Sequence, residues 1–428
     1  MIRLRVKSII LVGVGLLFFL PFFSCSKSQE EQSLSGQSLV NLEADFLSPI
    51  AKDSILIDTH GNLYYNSIPK LDGEQYLNNQ LFLMGRSGLN LAIIDTAGGF
   101  NRHITGRGNG PGEIPVGNNA SVWQSTDGGI YVLTGGNAYM LFVYDKHANF
   151  LYSLRLFQAL PDYYRFPLTS FHFTEKNEEG KFHLTLTVGS TIHSPFTKSY
   201  FENTDVLARF EINEFQQKIV SAETFMPYKD LPEIKESLKE GKTYWFNPNP
   251  LFQTIGNKTY FMLSFSDCIY VLNEDFEIEE MIKPKVLSEV NKIKNGSNFL
   301  LKTPYEYYDM TYYQYKNFLS NLYINNLQVL GDLVIVQFSK PLKEKDFLPK
   351  FPTRNQVNQW QIDGFSQKRD QYWLIYNLKN GKEELIKLPP EYVTGIFLDK
   401  KRMVVEKRFD DIEGFYLMKY TLPNPIGQ

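Results

Sequence analysis

Six histidines are spread through a chain of 428 residues, and three of them lie close enough in sequence to suggest a shared site. His172, His183 and His193 fall in one strand-rich stretch, where neutral imidazoles could converge on a metal ion at the mouth of a closed β array. Their spacing matches no zinc-protease helix and suits edge-strand histidines equally well. Cys268 sits in the apolar run FSDCIYVL over residues 265–272, the surroundings of a small core residue rather than a nucleophile. Gly106 to Glu113 reads GRGNGPGE, which is not the G-x-G-x-x-G of a dinucleotide fingerprint, and no helical pattern follows it. Its glycines provide backbone freedom for a tight crossing between strands. Arg107 and Glu113 then either pair with each other or face the mouth of the array. Tyr305, Tyr307, Tyr308, Tyr312, Tyr313 and Tyr315 crowd one connecting segment. With an apolar ring and a polar tip each, Tyr307, Tyr308 and Tyr312 either line a glycan- or peptide-binding face or cap one end of the body. No H-E-x-x-H, G-x-S-x-G or EF-hand pattern occurs, although a site assembled from several loops leaves no local motif.

The N-terminus carries an address. Arg3, Arg5 and Lys7 precede an uncharged run from Ile9 to Phe23, 15 residues long, which is short for a membrane span of about 20 and suits a signal peptide. Leu20-Pro21-Phe22-Phe23-Ser24-Cys25 resembles a bacterial lipoprotein cleavage signal. Cleavage before Cys25 makes residues 1–24 a signal peptide and leaves a cysteine carrying palmitate-type acyl chains. Each buried methylene contributes about 0.8 kcal/mol, so two or three chains hold a protein at a membrane. An uncleaved anchor is the alternative, since Phe22 stands where leucine is usual. Residues 25–45 form the lipidated cysteine and a polar tether, with SKSQEEQSLSG over 26–36 too poor in apolar surface to fold. With only two cysteines, lipidation of Cys25 leaves no intrachain disulfide. The net charge of −3 offers no basic field for nucleic acid.

The remaining 46–428 must supply whatever positions these groups. Short apolar runs alternate with Gly, Asn and Asp turns, and aromatic residues make up 15% of the chain, as expected of antiparallel strands. One unit is explicit: strands at 120–123, 130–133, 139–144 and 150–154, four in about 35 residues, as in a propeller blade. Six such units are expected, at about 53–105, 120–156, 168–221, 251–284, 325–388 and 394–421, making an all-β, six-bladed propeller with long insertions at 226–249 and 285–325. The first insertion contains a helical pattern over 231–241, opened by Pro232 and closed by Gly241. Residues 54–57 either open the first blade or pair with the last strands to close the ring. An eight- to twelve-stranded sandwich is the rival architecture.

Ile94-Asp95, Gly98-Gly99, His103-Ile104 and then Gly106 to Glu113, behind a lipoprotein signal, resemble the six-bladed propeller lipoproteins of Bacteroidota-type bacteria. The motif region covers roughly 80–156. The resemblance implies a propeller held by lipid in the cell envelope, at the periplasmic or surface face of the outer membrane, and it supplies no catalytic residues. Together these features point to a non-catalytic binding or scaffolding protein whose partner is a glycan, a peptide or an envelope protein, with no nucleic acid. The competing reading is a propeller hydrolase or lyase with a metal ion in the central channel.

Overall fold

The computed structural model describes residues 45–46, 50–58, 80–84, 91–95, 100–105, 110, 112–113, 120–134, 140–165, 171–193, 197–239, 243–244, 250–292, 300–301, 321–342, 369–387, 392–397, 399–407, 414–421 and 426–427. Cys25, Arg107, Tyr307, Tyr308 and Tyr312 lie outside them. The body is all-β in a propeller arrangement.

Strands β1 (Asp45–Phe46) and β2 (Ile50–Asp58) come first, then an opening sheet of β3 (Gln80–Met84), β4 (Leu91–Asp95) and β5 (Phe100–Thr105). Blade I is β6 (Ala120–Gln124), β7 (Ile130–Thr134), β8 (Met140–Tyr144) and β9 (Phe150–Arg155). Blade II contains β10 (Tyr163–Arg165), β11 (Phe171–Phe173), β12 (Lys181–Ser190), β13 (Asp205–Asn213) and β14 (Lys218–Pro227). Both β10 and β11 pair with β12, so together they form a broken inner strand. Helices α1 (Lys198–Asn203) and α2 (Pro232–Lys239) flank the end of this blade in sequence. After β15 (Thr243–Tyr244), blade III comprises β16 (Pro250–Ile255), β17 (Lys258–Leu263), β18 (Ile269–Leu272) and β19 (Ile278–Ile282). Helix α3 (Lys285–Lys292) and β20 (Leu300–Leu301) lead into blade IV: β21 (Tyr323–Leu330), β22 (Leu333–Ser339), β23 (Gln371–Asn377) and β24 (Glu383–Lys387). A closing sheet of β25 (Tyr392–Phe397), β26 (Arg402–Lys407) and β27 (Gly414–Thr421) ends the chain.

Alternation along the strands explains how the sheets stack. In β12, Phe182, Leu184, Leu186 and Val188 join Tyr131, Leu133, Leu141 and Val143 of blade I in one core. Residues on the opposite face of blade II, such as Leu207, pack with Phe252, Phe261, Leu263 and Tyr270 of blade III. Blade III in turn presents Leu251, Tyr260, Met262 and Val271 to Val334, Val336 and Phe338 of blade IV. The far face of blade IV, with Leu333, Ile335, Trp373 and Ile375, meets Phe397 and Met403 of the closing sheet. Blades II, III and IV are thus each buried on both faces against different sheets, which a two-layer sandwich cannot provide.

Four blades, not six, stand as complete four-stranded units in chain order among the described residues. The first expected unit, 53–105, fails as one blade for a physical reason. Its leading strand, β2, pairs antiparallel with β27 from Ile50↔Thr421 to Asp58↔Gly414, leaving a three-stranded sheet behind it. Residues 54–57 therefore join the end of the chain, the second of the two options the sequence left open. β1 adds a parallel strand to the outer edge of blade IV. The helix expected over 231–241 is α2.

Candidate functional site

The two ends of the blades differ sharply. Turns joining first to second and third to fourth strands are tight: 125–129, 145–149, 174–180, 214–217, 256–257, 273–277, 331–332 and 378–382. The other end carries the long connections 191–204, 228–249, 283–322 and 340–370, and both insertions expected from the sequence belong to it. Strand geometry alone decides this, because successive antiparallel strands alternate direction.

The roots of the long connections are fixed by buried polar groups. Arg369 is 3% exposed, and its guanidinium donates to the carbonyls of Asn321 (2.7 Å), Ser339 (3.1 Å) and Lys340 (3.1 Å). It therefore ties the approach to β21 at Asn321, the end of β22 and the approach to β23 in one knot. Burial pulls its pKa down to about 9, which leaves it charged at neutral pH. Glu383 on β24 accepts from the backbone N–H groups of Lys285 (2.6 Å) and Val286 (2.9 Å), capping the start of α3. Beneath α2, the hydroxyl of Tyr270 donates to the Glu233 carboxylate, and burial, reinforced by that carboxylate, pushes the phenol pKa upward. Cys268 beside it is 2% exposed; burial and then the Glu233 charge push its thiol up to about 12. It is a core residue, as the sequence implied, and far from a thiolate at neutral pH.

The three histidines separate. His172 in β11 stands opposite Thr185, and His183 in β12 stands opposite Glu211, so both share the face of blade II turned toward blade III. His193 lies beyond the far end of β12, roughly 33 Å along an extended chain from His183, where its Nδ1 is 2.9 Å from Ser199 Oγ. No three of His, Cys, Asp or Glu come together to hold a metal ion among the described residues. His172 and His183 share that face with Arg209, which stands opposite Thr185 on β13. Its guanidinium carbon lies 4.5 Å from the ring centre of Phe276 and 5.2 Å from that of Phe225, and Nη2 donates to the Glu274 carbonyl at 2.5 Å. Burial and then this cation hold His172 down to about 4 and lower His183 as well.

Glu113 accepts from the backbone N–H of Gly110 at 2.7 Å and so fixes its own turn. Gly112 follows that logic: its φ is +77°, its carbonyl accepts from Tyr144 Oη at 2.9 Å, and an added Cβ would come 2.7 Å from Phe150 Cβ. Residues the sequence did not single out join the blades. Gln253 Oε1 accepts from the N–H of Val329 at 2.6 Å, and buried Gln328 bonds both the N–H (2.9 Å) and the carbonyl (2.5 Å) of Phe397. Their one sequence signal is an amide side chain set among the apolar residues of a strand.

No family model matches this chain, and no curated protein matches it. Among solved structures it is similar to a member of the DUF4221 family from Bacteroides vulgatus ATCC 8482, at 11% identity and a TM-score of 0.51, over 88% of this chain and 98% of that one. A Bacteroides fragilis NCTC 9343 protein thought to be exported is 13% identical, with a TM-score of 0.43, over 86% and 94% of the two chains. The Dos1 propeller is 12% identical, with a TM-score of 0.38, over 82% and 78%. At such identities the first likeness bears on fold alone, and the other two carry no weight. No helix among the described residues is long and apolar enough to cross a membrane.

Proposed function

We propose that this protein is an envelope-tethered propeller that binds a glycan, a peptide or an envelope protein, without catalysing a reaction. The observation carrying this reading is the division of labour between the two ends. Stacked sheets buried on both faces give a stiff body, and the long connections spring from a single end with their roots fixed by Arg369 and Glu383. Recognition loops on a rigid scaffold are a general solution to binding. Tyr307, Tyr308 and Tyr312 belong to the segment between β20 and β21, whose return point is at that end. In the same proposal the opening and closing sheets complete a ring of six. Membership in the Bacteroidota-type propeller lipoproteins and attachment through acylated Cys25 to the outer membrane complete the reading.

Affinity capture from envelope and polysaccharide extracts tests it. The purified chain should retain a glycan, peptide or envelope protein, and replacing Tyr307, Tyr308 and Tyr312 by Ala should abolish retention. Retention of nothing, or a stoichiometric metal ion in the purified protein, overturns it. Mass spectrometry of the membrane fraction should find acyl chains on Cys25, and Cys25→Ala should release the protein; an unmodified, intact N-terminus overturns the anchoring.

A further inference from the structure

We propose that β19, the outer edge of blade III, is a docking strand where an extended, basic segment of a partner protein adds to the sheet. An outermost strand keeps one row of backbone N–H and C=O groups unpaired, and an added strand satisfies that row. The blades treat this edge differently. In β24, the matching strand of blade IV, no residue is exposed. There β1 adds a parallel strand beside Ile386 and Lys387, Glu383 caps α3, and Glu384 accepts from Gly427. In β19, by contrast, Ile278, Glu279, Glu280 and Met281 are exposed in succession. No exposed run longer than two occurs in β9 or β14, the outer strands of blades I and II. Blade IV therefore carries an added strand that blade III lacks among the described residues.

Side-chain placement sets the chemistry of the occupant. Ile278 stands opposite Leu272 and Met281 opposite Tyr270, and a register shift beside Val271 brings both onto one face. They are 38% and 48% exposed, on the face that Tyr270 and Leu272 turn toward blade II. Glu280, opposite Val271, lies on the other face. Over 273–283 the sequence sets Glu274, Asp275, Glu277, Glu279 and Glu280 against Lys283 alone. Glu279 meets Lys258 at 3.6 Å, and Glu280 has no ion pair among the described residues. A second copy of β19 placed here would set carboxylate against carboxylate, which disfavours self-pairing. A strand with apolar side chains on one face and lysine or arginine on the other matches both faces. No residue of this edge belongs to the long connections, so a partner held here leaves them free for another ligand.

Fluorescence anisotropy on the full chain, with a labelled synthetic peptide of alternating lysine and valine, tests the docking strand. The peptide should bind more tightly than a glutamate–valine counterpart, and more weakly as salt rises. Glu277→Lys, Glu279→Lys and Glu280→Lys combined should weaken binding about tenfold, as should Ile278→Ser with Met281→Ser. All five positions are exposed, so neither variant should unfold the protein. With the peptide added, amide-resolved hydrogen exchange should slow at the outward amides of 278–282 and stay unchanged over 150–155 and 218–227. Equal binding of the two peptides, unchanged binding in either variant, or slowing at the other edges instead overturns the proposal. So does protection of those outward amides in the chain alone. Constant protection would put a segment of this chain on the edge, and protection that rises with concentration would put a second copy there. Replacing Tyr307, Tyr308 and Tyr312 by Ala should leave peptide binding unchanged, which separates this result from capture by the long connections.

Discussion

The seam between blade IV and the closing sheet and the seam between blades II and III solve the same packing problem with different chemistry. At the first, Trp373 packs 4.6 Å from Phe397, Leu333, Ile335 and Met403 fill the layer, and the amide of Gln328 pairs with both backbone groups of Phe397. The C-terminal tail adds Ile426 to that core, and Gly427 donates to Glu384 at 2.9 Å. Every polar group named there is neutral or paired with a backbone dipole. At the second, apolar packing around Leu207 and Phe261 gives way, on the same face, to Arg209, His172, His183 and Glu211. The lesson is that adjacent β sheets can be joined by side chains indifferent to pH or by side chains that answer to it, with little change in backbone.

Several substitutions would break or sharpen that contrast. Trp373→Ala should cost about 3–5 kcal/mol, because the side chain is almost wholly buried and its neighbours cannot close the void; denaturant unfolding measures it, at a loss independent of pH from 5 to 8. Gln328→Ala should cost about 1–3 kcal/mol by leaving a buried N–H and carbonyl of Phe397 without their partner. Arg209→Leu should cost about 1–2 kcal/mol at pH 7.5, the worth of two ring contacts and one hydrogen bond. It should also raise the His172 pKa, seen by NMR titration of the imidazole.

The smallest effect lies between blades I and II, where Lys176 bridges Asp127 (2.6 Å) and Glu214 (3.1 Å). Burial alone would raise the Asp127 carboxyl, but hydrogen bonds from Lys176 and Ser125 outweigh it and hold the pKa at about 2. That stabilisation is present above the ordinary value of about 4 and disappears as pH falls toward 2. The carboxylate is half exposed, so Asp127→Asn should cost less than about 1 kcal/mol at pH 7.

Much of the architecture was legible because local pattern dictates it. Blade I lies within a residue or so of the runs read at 120–154, since its turns are made by Asp127-Gly128 and by Asp145 with Asn149. Helix α2 announced itself through Pro232. The partner of β2 was legible only as one of two options, because nothing in residues 50–58 encodes which strand will lie beside them. Arg209 and Gln328 escaped notice for the same reason: their partners, Glu274 and Phe397, are 65 and 69 residues away. Spacing suggested three converging histidines, but β12 is long enough to carry His193 away from the other two.

The pairing of β2 with β27 has a consequence in time. A ribosome adding about 5–20 residues per second needs roughly 20–70 s to traverse the approximately 360 residues between them. Through that interval the earliest long strand of the body has no neighbour to accept it, and the molecule remains an unfinished circle. Closure waits until residues 414–421 have been made, so the intervening blades form while that pairing is still absent.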